Sequence, residues 1–425
     1  MLDLRLIRTD PEFVRRALAR RGDPSLPAVV DRILALDEDR RKAIGAADAL
    51  KARRNEVSRT VGERKRAGED ASALVEEMRE VGERIAGFDR DVSELDAMIR
   101  DILLRTPNLP LEGIQEGGAD SNVVVRSHGE PLQHGFPAKP HWELGESLGL
   151  LDLPRGARVS GSGFPVLRGQ GARLQRVLID WMLDLHTAEH GYTELRVPYL
   201  VSRETLVGTG QLPKFEEDLY VAERDDLWLI PTAEVPVTNL HADEILSADQ
   251  LPLRYTAYTP CFRREAGAAG ADTRGLLRVH QFDKVELVRY ETPDRSREAL
   301  EEMTREAEVV LHRLGLAYRV LLLSTGDMGF GSAMTYDLEV WAPGVERWLE
   351  VSSVSVCDDF QARRANLRYR PAPGEKPEFL HTLNGSALAL PRIMVAILET
   401  YQQSDGSVVV PEVIRERLGL QRLTG

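Results

Sequence analysis

The chain has 425 residues, 42% hydrophobic and 29% charged, an ordinary globular composition long enough for two or three domains. Its 55 basic and 68 acidic residues leave a net charge of −13. That excludes a uniformly basic nucleic-acid coat, though not a local basic element on an acidic body.

The first residues, MLDLRLIRTDPEF, carry acids where a signal peptide needs an unbroken apolar stretch. No apolar run further on approaches the roughly 18 residues of a membrane span. The two cysteines, Cys261 and Cys357, exclude a disulfide framework and a cysteine-rich zinc site, and they fit a reducing cytosol. The chain therefore reads as cytoplasmic, with no membrane partner.

Between Pro27 and Pro107 there is no proline. From Leu74 the apolar positions are Met78, Val81, Ile85, Phe88, Val92, Leu95, Ile99 and Ile102, alternating steps of four and three. That is a heptad seam. A weaker seam of Ala43, Ala47, Leu50, Val57 and Val61 precedes it, and Gly68 interrupts the two. The pattern predicts one antiparallel hairpin of two long helices, each about 50–60 Å at ~1.5 Å per residue. A parallel dimeric coiled coil is the other reading, and the Gly68 break with matched arms favours the hairpin.

The arms differ in charge. Residues 51–66 hold seven cations and two acids, while residues 67–105 hold eleven acids and five arginines. A solvated helix face is the plain reading of such charges. The asymmetry raises the other one, a basic rail for a phosphate backbone.

Thr106-Pro107-Asn108-Leu109-Pro110 stops the second arm. The expected organisation is a helical hairpin over 1–110, a linker over 111–124, and a mixed domain over 125–425. Strands are predicted at Thr193–Leu200, Leu227–Ile230, Tyr255–Phe262, Leu277–Tyr290, Tyr318–Ser324, Tyr336–Trp341 and Arg347–Val354. Helices are predicted at Gly171–Glu189, Arg295–Leu314 and Leu388–Gln403. Runs of strands with few crossovers predict an α+β fold, an antiparallel sheet flanked by helices.

No phosphate-binding G-x-x-x-x-G-K-[ST] and no G-x-G-x-x-G after a strand is present. His186 and His190 stand four apart near a helix end, but the intervening acid is Glu189 and not the residue after the first histidine. This is therefore not the zinc-protease H-E-x-x-H and reads as a satisfied helix-end pair. The informative run is Tyr258 to Tyr290. Arg263 and Glu265 share a face, and on a second strand Arg278, His280, Phe282, Lys284 and Glu286 share one by the same rule, so that one face gathers arginines, an aromatic and carboxylates. A solvent-facing sheet is the plain reading, yet it has little use for Phe282 among polar residues. Arginine forks suit a phosphate, an aromatic plate suits a base, and a carboxylate suits an ammonium group.

This run resembles motif 2 of the class II aminoacyl-tRNA synthetases, in the form seen in seryl-tRNA synthetases. Glu194-Leu-Arg-Val-Pro198 is similar to motif 1, and Thr382 through Arg392 is similar to motif 3. Gly208-Thr-Gly-Gln-Leu-Pro-Lys-Phe215, Pro231-Thr-Ala-Glu234 and Asp359-Phe-Gln-Ala-Arg-Arg364 resemble seryl-type signatures. The resemblance spans essentially the whole chain. It implies a class II catalytic domain preceded by a long antiparallel two-helix coiled coil.

The resemblance also implies a site. Thr232, Ala233, Glu234, Arg263, Glu286, Asn384 and Ser386 would bind serine. Arg263, Arg264, Glu265, Val279, Phe282, Glu350, Val351, Ser352, Ser353 and Arg392 would bind ATP, with Phe282 stacked on adenine. Arg263 and Arg392 would be catalytic, and Glu350 and Ser353 would hold Mg2+. Lys51, Arg53, Arg54, Arg59 and Arg64 would bind tRNA(Ser), and the loop from Ala266 to Gly275 would meet the acceptor end. A homodimer, and tRNA(Sec) as a second acceptor, are implied as well.

Four positions depart from the family pattern: Arg264, Ala387, Val354 and Val356. Ala387 brings a methyl where the family has glycine, so backbone approach to substrate is in question there. Arg264 should point to the face opposite Arg263. Two other readings share these residues, a ligase loading an amino acid on a carrier protein and a coiled-coil scaffold with an inactive nucleotide fold. The first leaves the hairpin idle, and the second gives no reason to keep the charged face together.

Overall fold

The computed structural model describes residues 1–266 and 274–425. These divide into two compact units, Leu2–Ala19 with Asp23–Pro107, and Met1, Arg20–Gly22 and Asn108–Gly425.

In the first unit, short helices at Leu4–Thr9 and Pro11–Ala19 precede two long ones, α1 (Ala28–Ala67) and α2 (Ser72–Arg105). Ion pairs across the arms run in opposite order, Arg40–Asp96 at 2.5 Å, Lys51–Asp89 at 3.0 Å and Arg53–Glu77 at 3.2 Å. The arms are therefore antiparallel. Every seam position of α2 from Leu74 to Ile102 is buried or half-buried. α1 ends at Gly68, whose φ of 75° is left-handed, and the next amide, Glu69 N–H, returns to Arg64 O at 2.9 Å. Glycine takes that conformation without the Cβ clash other residues meet.

Among the tRNA candidates, Lys51 and Arg53 are engaged by Asp89, Glu56 and Glu77. Arg54 and Arg59 are exposed and make no ion pair among the described residues. One charge is buried in this unit. Asp37 accepts two 2.6 Å bonds from the Arg8 guanidinium, with Arg40 and Arg41 nearby. Arg8 holds its carboxyl below the usual carboxylate range.

The second unit is built on a sheet of β1 (Val123–His128), β2 (Thr193–Glu194), β3 (Leu253–Phe262), β4 (Gln281–Glu291), β5 (Tyr318–Leu322), β6 (Met334–Ala342), β7 (Arg347–Val356) and β8 (His381–Ala389). Its order is β1-β5-β6-β7-β8-β4-β3-β2. Neighbours are antiparallel except the short β2–β3 pair. The helices that matter below are α3 (His141–Ser147), α4 (Gly169–Ala188), α5 (Ser296–Arg313), α6 (Phe360–Ala365) and α7 (Leu390–Thr400). α4, α5 and α7 pack Leu178, Met182, Met303, Leu311, Ile393 and Ile397 with Val285, Leu287, Val354 and Val356 of the sheet in one apolar core.

Three expectations need correction. The strand predicted over Leu277–Tyr290 starts only at Gln281. The strand predicted over Thr193–Leu200 is two fragments, Thr193–Glu194 and Leu200–Val201, in different sheets, because Pro198 has no amide to give a ladder. The helix predicted from Leu388 begins at Leu390, since residues through Ala389 belong to β8. Residues 111–124 lie within the second unit, where Ile114 is buried with Leu321, Leu323 and Met328.

Removing Asp37 leaves three guanidinium groups around a buried gap. Asp37→Ala should destabilise the helical unit by about 3 kcal/mol in denaturant titration followed at 222 nm. Because the folded carboxyl sits below its unfolded value, the wild-type advantage should vanish as pH falls below about 4. An Asp37→Ala variant as stable as wild type at pH 7 would refute the buried-pair account.

Candidate active site

A cavity of about 390 Å³ opens on the sheet face where β3, β4, β7 and β8 meet the start of α7. Arg263 and Glu265 follow β3, Phe282, Lys284 and Glu286 come from β4, and Glu350, Val351 and Ser353 come from β7. Asn384 and Ser386 come from β8, Arg392 from α7, Thr232 from the turn before the short helix Glu234–Thr238, and Glu234 from its first residue.

Two bulges decide which side chains enter. On β7, Glu350 pairs with Glu339 and Ser352 with Leu338, so Val351 is an extra residue. Residues three apart on a regular strand face opposite ways, and the insertion puts Glu350 and Ser353 on one face. On β8, Ser386 pairs with Glu286 and Leu388 with Val285, so Ala387 is extra. The Ala387 side chain is buried in the apolar core with Val354 and Val356, and none of the three lines the cavity. The methyl that departs from the family pattern is thus directed away from it.

One half of the cavity is a buried polar network. Lys284 Nζ donates to Thr232 Oγ1 at 2.9 Å and forms an ion pair with Glu286. Thr232 Oγ1 donates to Glu286 Oε2 at 3.3 Å and accepts the Glu234 amide at 3.2 Å. Glu234 Oε1 accepts from Gln361 Nε2 at 2.6 Å and Asn384 Nδ2 at 3.1 Å. Gln361, on α6, is held in turn by Thr382 Oγ1 at 2.6 Å and reaches Thr209 O. Burial and the nearby Glu286 push the Glu234 carboxyl up to about 7. With two carboxylates and one lysine here, a second cation would balance the charge.

The other half combines arginine and aromatic groups. The Arg263 guanidinium lies 5.2 Å over the Phe282 ring, and its Nε donates to Pro231 O at 3.3 Å. Arg278 pairs with Glu265 at 3.2 Å, and Glu265 adopts a left-handed φ of 50°. Arg392 donates to Glu350 O at 2.7 Å and to Leu277 O at 3.3 Å.

The expected residues divide plainly. Thr232, Glu234, Arg263, Glu265, Val279, Phe282, Glu286, Glu350, Val351, Ser353, Asn384, Ser386 and Arg392 all line the cavity. Ala233, Arg264 and Ser352 do not. Ala233 is buried in a neighbouring apolar cluster, the Arg264 side chain donates to Glu217 O, and Ser352 Oγ donates to Ser386 O. His280 also leaves the expected face. Its Nδ1 donates to Arg263 O at 3.0 Å, and its ring lies against Phe164. Most of the expected tRNA loop, residues 267–273, lies outside the described residues.

Lys284 was legible as a member of the face but not as the buried counter-ion. Gln361 lies inside the Asp359–Arg364 signature but has no role implied for it there, and Asp337 lies in none of the motifs. Asp337, opposite Ser353 in the β6–β7 register, hydrogen-bonds that serine, and its Oδ1 is buried without a partner. Burial and Glu350 raise its pKa. Glu350, Ser353 and this orphaned oxygen are hard oxygen donors, a set that fits a divalent cation such as Mg2+ completing its shell with water or phosphate. Among the described residues no cluster of three or more histidine, cysteine or acidic side chains is arranged as a metal cage.

Residues 1–110 match the seryl-tRNA synthetase N-terminal domain, and residues 214–401 match the class II tRNA synthetase core domain of the G, H, P, S and T types. A serine--tRNA ligase of Gemmatimonas aurantiaca is 56% identical over 420 residues, 99% of both chains. The seryl-tRNA synthetase of Pyrococcus horikoshii, solved with ATP, superposes with a TM-score of 0.94 at 39% identity, over 100% of this chain and 99% of that one. The cytoplasmic serine-tRNA ligase of Naegleria fowleri, solved with AMP, gives 0.89 at 29% identity over the same shares. With matches running from the helical arm through the catalytic sheet, the chain belongs to the seryl-tRNA synthetase family.

Proposed function

We propose that this chain activates L-serine with ATP, releasing pyrophosphate, and then transfers the seryl group to the 3′ end of tRNA(Ser). The observation that carries the reading is the full-length likeness to serine--tRNA ligases, hairpin included. Nothing favours the carrier-protein ligase or the inactive scaffold.

The serine carboxylate attacks the α-phosphorus, and the bond to the β-phosphate oxygen breaks. The nucleophile is already an anion, so no general base is required. The work is to hold two anions together and to neutralise the phosphoryl oxygens. Arg263, which lines the cavity beside Phe282, bridges the amino-acid carboxylate and the α-phosphate in this reading. Phe282 stacks the adenine, with Glu265 and the Val279 backbone at its edge. Arg392 covers the nucleotide from the α7 side and faces the terminal phosphates. Mg2+ held by Glu350 and Ser353, beside Asp337, would supply charge neutralisation on those phosphates.

In the polar half, the serine ammonium is the second cation that Glu234 and Glu286 call for. Thr232 and Ser386 offer hydroxyls to the rest of the amino acid, and Asn384 keeps Glu234 in place. A buried site built for a hydroxyl rejects an analogue lacking it by about 10⁴–10⁵. Alanine is therefore excluded at binding.

The exposed Arg54 and Arg59, with the neighbouring basic positions of α1, form the rail for the tRNA backbone. A homodimer is part of the same reading. No helix among the described residues is long and apolar enough to cross a membrane.

Charging of bacterial tRNA with labelled serine, ATP and Mg2+ tests the function. Acid-precipitable seryl-tRNA is expected, and its loss together with serine-dependent pyrophosphate exchange is expected in Arg263→Ala with unchanged circular dichroism. Exchange without charging of any tRNA would return the carrier ligase to consideration. Reversing Arg53, Arg54 and Arg59 to Glu should lower kcat/KM for tRNA by at least about tenfold while exchange stays near wild type. Equal loss of both activities would remove the hairpin from tRNA binding.

The Glu234 carboxyl sits at about 7 and must be ionised to pair with the ammonium. The KM for serine should therefore rise as pH falls below 7, approaching about tenfold per unit. In Glu234→Gln the slope should disappear. A flat serine KM in the wild type between pH 5.5 and 8 would contradict this assignment.

A further inference from the structure

The leg that returns from the motif 2 loop, residues 274–280, is not a strand, yet Leu276, Leu277, Arg278 and Val279 line the nucleotide half of the cavity. Its one backbone bond to the outgoing leg among the described residues is at its end, where His280 O accepts the Arg263 amide at 2.9 Å, so the backbone before it must be held from outside. His141, the first residue of α3, is fully buried there. Its Nε2 accepts the Leu276 amide at 3.0 Å. Gly275 has a φ of 68°, and any side chain on it would strike the imidazole.

An accepting Nε2 leaves the proton on Nδ1. Nδ1 donates to Glu399 Oε1 at 2.8 Å. Glu399 is wholly buried on α7 and is itself fixed by three backbone amides, His141 at 2.9 Å, Gly344 at 2.8 Å and Val345 at 3.1 Å. The same helix grips the leg a second time. Arg392, seven residues earlier and so on the same side of α7, donates to Leu277 O. Two successive residues of the leg are thus tied to α7, one directly and one through His141.

We propose that His141 is a positioning residue for the nucleotide, acting through the Leu276 amide to hold the backbone from Leu276 to Val279 at the distance the base requires. This rests on the reading of the cavity as a serine and ATP site. The imidazole never touches the substrate. Its use lies in accepting on one edge and donating on the other, with Glu399 locking the tautomer. The serine half, built on Thr232, Glu234 and Glu286, does not share this tie.

The test separates the two edges of the ring. His141→Asn keeps a donor near the Nδ1 position and loses the acceptor for Leu276, whereas His141→Gln reaches the Nε2 position and restores it. In H141N the KM for ATP in serine-dependent exchange should rise about tenfold, with the KM for serine changed less than about twofold. H141Q should return the ATP value close to wild type. The Kd of a non-hydrolysable ATP analogue, measured by calorimetry with Mg2+, should follow the same order. Equal rises for serine and ATP, or the same loss in both variants, would overturn the proposal. So would fast hydrogen exchange at the Leu276 amide of the wild-type protein, whatever the variants do. A wild type that binds the analogue but shows no serine-dependent exchange would remove the functional reading and still leave the calorimetric comparison of H141N with H141Q in force.

Discussion

The register of the central strands, with one extra residue on β7 and one on β8, is the constraint from which the site follows. Side chains alternate along a strand, so Glu350 and Ser353 could not share a face without Val351 between them, and Ser386 could not stand opposite Glu286 while Ala389 stands opposite Lys284 without Ala387. The bulged residues are not idle. Ala387 joins the apolar core that α4, α5 and α7 build behind the sheet, and Val351 contributes both there and to the cavity wall. Burial of the core therefore locks the same register that aims the polar groups.

That register concentrates charge of one sign in a dry place. Glu234 and Glu286 share one buried lysine, and the fold leaves Glu234 close to neutrality, at about 7. A ligand that brings an ammonium group completes the balance. In the other half of the same cavity arginines predominate, with Arg263 over Phe282, Arg278 paired with Glu265 and Arg392 paired with Glu350. The cavity thus has a cation-seeking half and an anion-seeking half. A zwitterionic amino acid condensed with a polyphosphate matches that order.

The helical unit obeys a simpler rule. Its apolar seam is narrow, so long arms and cross-arm pairs hold it, and Asp37 is a buried exception secured by Arg8. Some of the basic positions on α1 are consumed in that stabilisation. Lys51 and Arg53 bind the acidic arm, and Arg54 and Arg59 remain exposed, so the count of cations in the sequence overstates the charge presented to a partner. The net asymmetry between arms survives because it does not depend on any one pair.

Local periodicity determined a good deal from the sequence by itself. The four-three spacing from Leu74 to Ile102 specified the hairpin, and Gly68 specified its turn, because helix geometry and a left-handed cap are properties of neighbours in the chain. Alternation placed Phe282, Lys284 and Glu286 on one face for the same reason, and family resemblance supplied their company. The tertiary structure alone decided what depends on residues distant in sequence. Arg278 reaches the cavity as alternation implied, but His280 does not, because residues 274–280 are not strand and are held by His141, Arg392 and Gly163, which no local pattern announces. The same holds for Gln361 against Glu234, for Asp337 beside Ser353, and for the bulges at Val351 and Ala387. A one-residue insertion changes no composition and little periodicity, yet it reverses which way every following side chain points, and only pairing with a partner strand reveals it.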